Sequence, residues 1–154
     1  MDATTTDQIE MQITIMAPRS RVWTALTDAE QFGAWFGVDF TGVKFVAGKA
    51  AVGTMTYPGH EGRRFEITID QVEPETLFSY KWHPYALDDS YDYSSEPMTL
   101  CLFRLEDVPG GTRLTVTESG FDQVPLSRRA EAFRMNTGGW EMQMGRIASY
   151  VTGN

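Results

Sequence analysis

The chain has one cysteine, two histidines and an excess of acid over base, with 13 lysines and arginines against 21 aspartates and glutamates. A single cysteine, Cys101, excludes an internal disulfide framework and fits a reducing compartment. The net charge of −8, with no basic cluster, argues against nucleic acid or an anionic membrane surface as the main partner. No apolar run approaches the roughly 18 residues that a spanning helix requires, so no membrane insertion is expected. The first residues, M-D-A-T-T-T-D-Q, have neither the basic region nor the apolar core of a signal peptide. A cytoplasmic protein is the expectation.

Reaction motifs are missing too. The segment 42–50, G-V-K-F-V-A-G-K-A, superficially resembles a phosphate loop, but its spacing is one residue too long and the hydroxyl residue is absent. His60-Glu61 begins like a zinc-protease motif, yet Arg64 stands where the second histidine should be. G-x-S-x-G, C-x-x-C and nucleotide fingerprints are all lacking. Neither a cofactor nor a metal site is expected.

What is present indicates one domain. The 154 residues are 42% apolar, enough for a core of useful size. Residues 1–7 read as a loose tail. Ile9, Met11, Ile13 and Ile15 alternate with polar residues and predict a half-buried strand. Two short helices follow. One carries Val22, Trp23 and Leu26; the other starts at the capping sequence D-A-E-Q from Asp28, carries Phe32, Trp35 and Phe36, and stops at Gly37. Strands are then expected around 43–46, 51–57, 64–72, 77–82, 99–105 and 113–118. An acidic, tyrosine-rich loop occupies 83–97. Its carboxylates lack calcium-loop spacing, so it is read as a solvated loop or a pocket rim, with His83 at its base.

The last third is a long helix. Leu126, Ala130, Phe133, Thr137, Trp140, Met144, Ile147 and Val151 recur in steps of four and three, and Gly153 marks the end. About 25 residues would span roughly 38 Å. Gly138, Gly139 and Gly145 inside it should each cost about 1 kcal/mol. Close approach to the sheet, a bend, or space left for a ligand would each account for them. The order β-α-α-β(6)-α with a mostly antiparallel sheet makes the fold class α+β.

This order resembles the helix-grip fold of START-type and Bet v 1-type (SRPBCC) domains. Five segments carry a narrower likeness: A-P-R-S-R-V-W-T-A-L-T-D-A-E at 17–30, followed by W-F at 35–36; V-E-P-E-T-L-F-S-Y-K-W-H-P at 72–84; D-Y-S-S-E-P-M-T-L at 92–100; L-T-V-T-E-S-G-F-D at 114–122; and N-T-G-G-W at 136–140. Together they resemble bacterial relatives of the C-terminal domain of the Hsp90 ATPase activator (AHSA1-like). The resemblance implies a single helix-grip domain over 8–152, with a curved antiparallel sheet wrapped around the C-terminal helix. It further implies a pocket between sheet and helix, since domains of this fold commonly hold apolar small molecules there and some are cyclases, dehydratases or hydrolases. The activator's separate N-terminal domain has no counterpart in these 154 residues, which counts against a chaperone partner.

The expected cavity is lined by Trp35, Phe36, Phe65, Ile67, Phe78, Tyr80, Trp82, Cys101, Phe103, Phe133, Thr137, Trp140 and Met144, which could equally fill an ordinary core. Cys101 is read as a small buried hydrophobe. Glu118 follows Leu114 and Val116 at the strand period, so it shares their face. It is the one weak catalytic candidate, as a general acid/base or a ligand anchor. The alternative is a carboxylate capping the turn at Gly120 or paired with a basic group near the strand end. The expected function is therefore binding of an apolar, aromatic or lipid-like molecule. The alternatives are an enzyme of the same cavity using Glu118, with His83 or Tyr80, and a co-chaperone-like interaction module. A homodimer is compatible with the sequence.

Overall fold

A computed structural model describes residues 8–88 and 90–153. The expected tail, 1–7, lies outside the described residues, as does Asp89 of the acidic loop. The elements run β1 (Gln8–Ile15), α1 (Arg19–Thr27), α2 (Ala29–Phe36), β2 (Val38–Asp39), β3 (Ala50–Met55), β4 (Arg64–Glu73), β5 (Leu77–Trp82), β6 (Thr99–Val108), β7 (Gly111–Ser119) and α3 (Leu126–Thr152), with a 3-10 turn at Phe121–Gln123. The strands form one sheet in the order β1-β7-β6-β5-β4-β3-β2, and every neighbouring pair is antiparallel. The first strand therefore pairs with the last. α3 packs on the inner face of this curved sheet, the α+β helix-grip arrangement. No helix among the described residues is long and apolar enough to cross a membrane.

The alternation in each strand decides what faces α3. Ile9 on β1, Glu118 on β7, Cys101 on β6, Tyr80 on β5 and Ile69 on β4 are successive cross-strand partners, so they form one inward row. All five are buried. Between Ile69 and Gln71 the β4–β5 register shifts. Such a bulge bends a strand and increases its twist. Here Ser79 ties it down, its Oγ donating to Asp70 at 2.9 Å and accepting from the Gln71 N–H at 3.1 Å.

α2 is fixed at both ends. Asp28 accepts from the Glu30 N–H at 3.1 Å, while Gly37 (φ 102°) closes the C-terminus in the left-handed region. Gln31 does not complete a capping box; it accepts from Arg21 instead, at 3.0 Å. A Cβ at Gly33 would lie 2.0 Å from the Val38 carbonyl oxygen, so only glycine lets α2 rest on β2.

Two sequence expectations differ from what is observed. Residues 43–46 form no strand; the short strand is Val38–Asp39. Phe40 and Phe45 turn inward there and pack on each other (5.3 Å) and on Phe32 (6.3 and 5.5 Å), so aromatic burial anchors the segment in place of a ladder. In α3, Leu126 is 80% exposed and Ala130 is also exposed. The first two turns are held by polar contacts instead. Arg129 donates to the Val124 and Asp122 carbonyls at 2.9 and 2.7 Å, and Arg128 grips the 83–97 loop.

The α3 glycines are not sites of close packing. No heavy atom beyond the helix's own neighbouring backbone lies within 4 Å of a Cβ placed at Gly138, Gly139 or Gly145. This separates two kinds of glycine by experiment. Gly33→Ala should lower stability by roughly 1–3 kcal/mol through steric conflict. Gly138→Ala, on an exposed helix face, should raise it by up to about 1 kcal/mol. Urea denaturation of both variants measures the contrast.

Candidate functional site

Most of the inward layer is filled by its own side chains. Phe32 stacks on Phe36 (4.9 Å), and Phe36 meets Phe65 (5.5 Å) and Trp82 (6.0 Å). Phe78 packs on Phe103 (6.2 Å), and Tyr80 meets Trp82 (5.3 Å). Ile67, Phe78, Tyr80, Cys101 and Phe103 are closed off from solvent, and Trp35 is buried with its indole N–H donating to the Ala25 carbonyl at 2.8 Å. Met144 is buried in α3, Phe133 packs on Phe121 (5.2 Å), and the half-buried Thr137 donates its hydroxyl to the Phe133 carbonyl.

Open space survives at one end. A recess of about 80 Å³ lies between sheet and α3, lined by Phe36, Trp82, Asn136, Gly139, Trp140 and Gln143. Phe36, Trp82 and Asn136 also line an outer groove of about 880 Å³, bounded by β4, the β3–β4 turn and the 83–97 loop. The recess therefore adjoins the groove. Of the expected cavity residues, Phe36, Trp82 and Trp140 reach the recess and Phe65 the groove.

Behind the recess sits Glu118, with no exposed surface. Its Oε1 accepts from the Trp140 indole N–H (2.8 Å) and the Asn136 amide (3.0 Å). Its Oε2 accepts from the Trp82 indole (2.8 Å), the Thr99 hydroxyl (2.6 Å) and the same Asn136 amide (3.1 Å). Four groups from β5, β6 and α3 thus converge on one carboxylate of β7. Among the described residues, no basic side chain bonds it. Neither anticipated structural role applies, because these partners are neither the Gly120 turn nor a cation.

A carboxylate offers about four lone-pair sites, and here both oxygens are occupied. The arrangement positions rather than reacts. It orients the Trp82 and Trp140 rings, which stack at 5.8 Å with 29° between their planes, as two walls of the recess. The buried neighbours are chemically quiet. Burial first, then the Glu118 charge, pushes the Cys101 thiol well above its usual range, and burial first, then Cys101 and Glu118, does the same to the Tyr80 hydroxyl. Cys101 therefore stays a thiol, unsuited to nucleophilic attack. His83 does not join the network; its Nε2 lies 3.0 Å from the Glu96 carbonyl oxygen. Among the described residues, no cluster of three or more His, Cys, Asp or Glu side chains could hold a metal ion.

The groove's outer wall is secured by a second polar node. Arg128 donates from Nε to Glu96 Oε1 (2.9 Å) and from Nη1 to the Pro84 carbonyl (2.7 Å), and its guanidinium lies 4.7 Å from the Tyr93 ring centre. Its Nη2 approaches the same Oε1 at 2.8 Å, off the hydrogen-bond axis, so that contact is Coulombic. The Tyr91 hydroxyl donates to Glu96 Oε2 at 2.7 Å. Burial alone would raise the Glu96 carboxyl. The hydrogen bonds from Arg128 and Tyr91, with the Arg128 and His83 charges, outweigh it and hold Glu96 below the ordinary carboxylate range.

Asn136, Thr99 and Gln143 are site residues that the sequence patterns do not single out, whereas Gly139 is one of the three helix glycines for which ligand space is an expected explanation. A period of two from Cys101 and Phe103 places Thr99 on the inner face, and Gln143 is a polar residue three positions after Trp140 on an apolar stripe. Those were the available signals. The Asn136 amide pairs with a residue 18 positions away, which no local pattern encodes.

Two predictions follow from these nodes. Glu118→Gln sets an NH₂ against indole and amide donors and should cost roughly 1–3 kcal/mol, read by urea denaturation. Because the folded Glu96 value is depressed, its contribution is fully present above about pH 4.3 and lost as pH falls through the lower folded value. The 83–97 loop should become protease-sensitive in that acid range, and a Glu96→Gln protein should show this sensitivity at neutral pH.

Comparison with known proteins agrees with this architecture. Among curated proteins, none matches the chain. A Mesorhizobium loti protein of solved structure is similar over 96% of this chain and 98% of its own, at 21% identity and a TM-score of 0.73. An Arthrobacter aurescens protein is similar over 97% of this chain and 88% of its own, at 17% identity and a TM-score of 0.77. DynU16, a protein in the dynemicin biosynthetic locus, is 25% identical over 95% of this chain and 47% of its own, with a TM-score of 0.68. Residues 16–152 match the family described as Activator of Hsp90 ATPase homolog 1-like protein, and the chain belongs to that family.

Proposed function

We propose that this protein binds a small, flat, largely apolar molecule, seated in the outer groove with its leading edge in the recess. The observation that carries this reading is the pair of indoles, Trp82 and Trp140, fixed by a buried carboxylate beside open space. A core that needed only to fill itself would gain nothing from a carboxylate whose desolvation costs several kcal/mol. Rigid aromatic walls, by contrast, give a ligand contact area without ordering cost on binding. Gly139 supports the same reading, since a side chain there would enter the space beside the recess.

The site is shallower than a cavity spanning the whole sheet. About 80 Å³ is roughly five times the space one water needs, enough for the edge of a ring. The remainder of a ligand would lie in the groove against Phe65, Tyr85, Leu87 and Tyr93. Acid/base chemistry by Glu118 is the weaker reading, because its oxygens are saturated and it does not line the recess.

Titration of 2-naphthol, followed by tryptophan fluorescence, tests the binding. Gly139→Leu should fill the recess and weaken binding at least about 10-fold, while the melting temperature holds or rises because leucine is the better helix former. Undiminished affinity in that variant would contradict the placement.

A further inference from the structure

Phe36, Trp82 and Asn136 line both the recess and the groove, so they form the junction between the two. Among their side chains, only Asn136 has a polar atom to spare, because the Trp82 indole N–H is committed to Glu118. Asn136 Nδ2 donates to both Glu118 oxygens, at 3.0 and 3.1 Å. That fixes the orientation of the amide, since a carboxylate demands a donor. Its other end, Oδ1, accepts from no group among the described residues, and Asn136 is only half-buried. The Gln143 Oε1 also lacks a partner, but it is closed off from solvent and beyond a ligand's reach; Asn136 Oδ1 is not closed off in that way. Water serves an open acceptor of this kind. A flat ligand lying across the junction displaces that water. An acceptor then left without a donor is costly, and a ligand that donates to it avoids the loss.

The charged groups nearby restrict the kind of donor. Arg63, Arg64, Glu61 and Glu66 line the groove, two cations against two anions, and none of them lines the recess. Arg64 Nη1 pairs with Glu66 Oε1 at 2.7 Å, Arg63 Nη2 donates to the Leu87 carbonyl, and Glu61 Oε1 accepts from the Gly59 N–H at 3.0 Å. Each of the four thus has a partner within the protein. His83 also belongs to the groove alone; with Nε2 donating to the Glu96 carbonyl, its neutral ring offers only an acceptor. At the junction the nearest charge is Glu118, bonded directly to Asn136. An anionic group there would meet repulsion. A cation would find both carboxylate oxygens occupied and would shed its water without gaining a counter-ion contact. An uncharged donor avoids both costs.

Resting on the proposed binding of a flat apolar molecule, we infer that the site selects an aromatic ligand presenting an uncharged hydrogen-bond donor, a ring hydroxyl or aryl N–H, to Asn136 Oδ1 at the junction. Asn136 then has two roles: one end of its amide holds Glu118 and the other reads the ligand.

Three probes of one shape test this at neutral pH, with affinities from isothermal titration calorimetry: 2-naphthol, which donates; 2-methylnaphthalene, which cannot; and 2-naphthoate, an anion that the groove's arginines would favour. The wild type should bind 2-naphthol about 10-fold or more tighter than either other probe. The Asn136 side-chain amide resonances of ¹⁵N-labelled protein report the contact itself, and should move with 2-naphthol far more than with 2-methylnaphthalene. In Asn136→Leu the preference of 2-naphthol over 2-methylnaphthalene should fall to within about twofold. If 2-methylnaphthalene binds the wild type as tightly as 2-naphthol, the inference is overturned while the site stays in place. A preference for 2-naphthol that leaves the Asn136 amide unmoved, or that survives in the variant, would overturn the assignment to Asn136. Binding of 2-naphthoate as tight as that of 2-naphthol would overturn the restriction to uncharged donors. Failure of all three probes to bind would remove the underlying binding reading. The wild-type affinities and resonances stand whether or not the variant folds.

Discussion

A carboxylate withdrawn from water must be compensated, and in this fold the compensation organises the site. Glu118 draws one donor each from β5 and β6 and two from α3. Losing any of them would leave part of a buried polar network unsatisfied, which is costly at low dielectric. The sheet and the long helix are consequently registered to each other at one point, by directional bonds as well as by apolar packing. Hydrophobic burial is non-directional and could be met by several helix rotations. Five hydrogen bonds to two oxygens select among them.

The same node explains why open space remains beside so aromatic a core. Phe32, Phe36, Phe78, Tyr80 and Phe103 close upon one another, each pair worth about 0.5–1.5 kcal/mol beyond its buried area. Trp82 and Trp140 cannot slide to fill the last gap, because their indole N–H groups are tethered to Glu118. Gly139 contributes no side chain to fill it either. At the groove's outer edge, Arg128 holds the 83–97 loop through Glu96 and the Pro84 carbonyl, so that loop supplies a wall. One node is buried and built from neutral donors; the other is an ion pair sensitive to acid.

Much of this was legible from local patterns. Alternation in β1, β4, β5, β6 and β7 identified the inward residues, including Glu118, because a strand's period of two is insensitive to its partners. Gly37 and Gly153 stood at the ends of helices for the conformational reason that makes glycine common there. What was not legible depends on distant pairing. Residues 43–46 resemble a strand, but Phe40 and Phe45 find better burial against Phe32. Leu126 and Ala130 obey the helical period, yet the turns that bear them are held by arginines reaching into loops. Asn136 and Gln143 gave little local sign of their roles, since their partners are Glu118 and the Phe36 carbonyl, far away in sequence. The identity of a hydrogen-bond partner is a tertiary fact.

On the proposed reading, the two indoles held by Glu118 form the wall a ligand touches. The most direct measurement follows the four indole N–H resonances of ¹⁵N-labelled protein during titration with 2-naphthol. The Trp82 and Trp140 signals should move together and saturate, with Trp23 and Trp35 unchanged. Movement confined to Trp23 or Trp35, or saturable binding that leaves Trp82 and Trp140 in place, would contradict it.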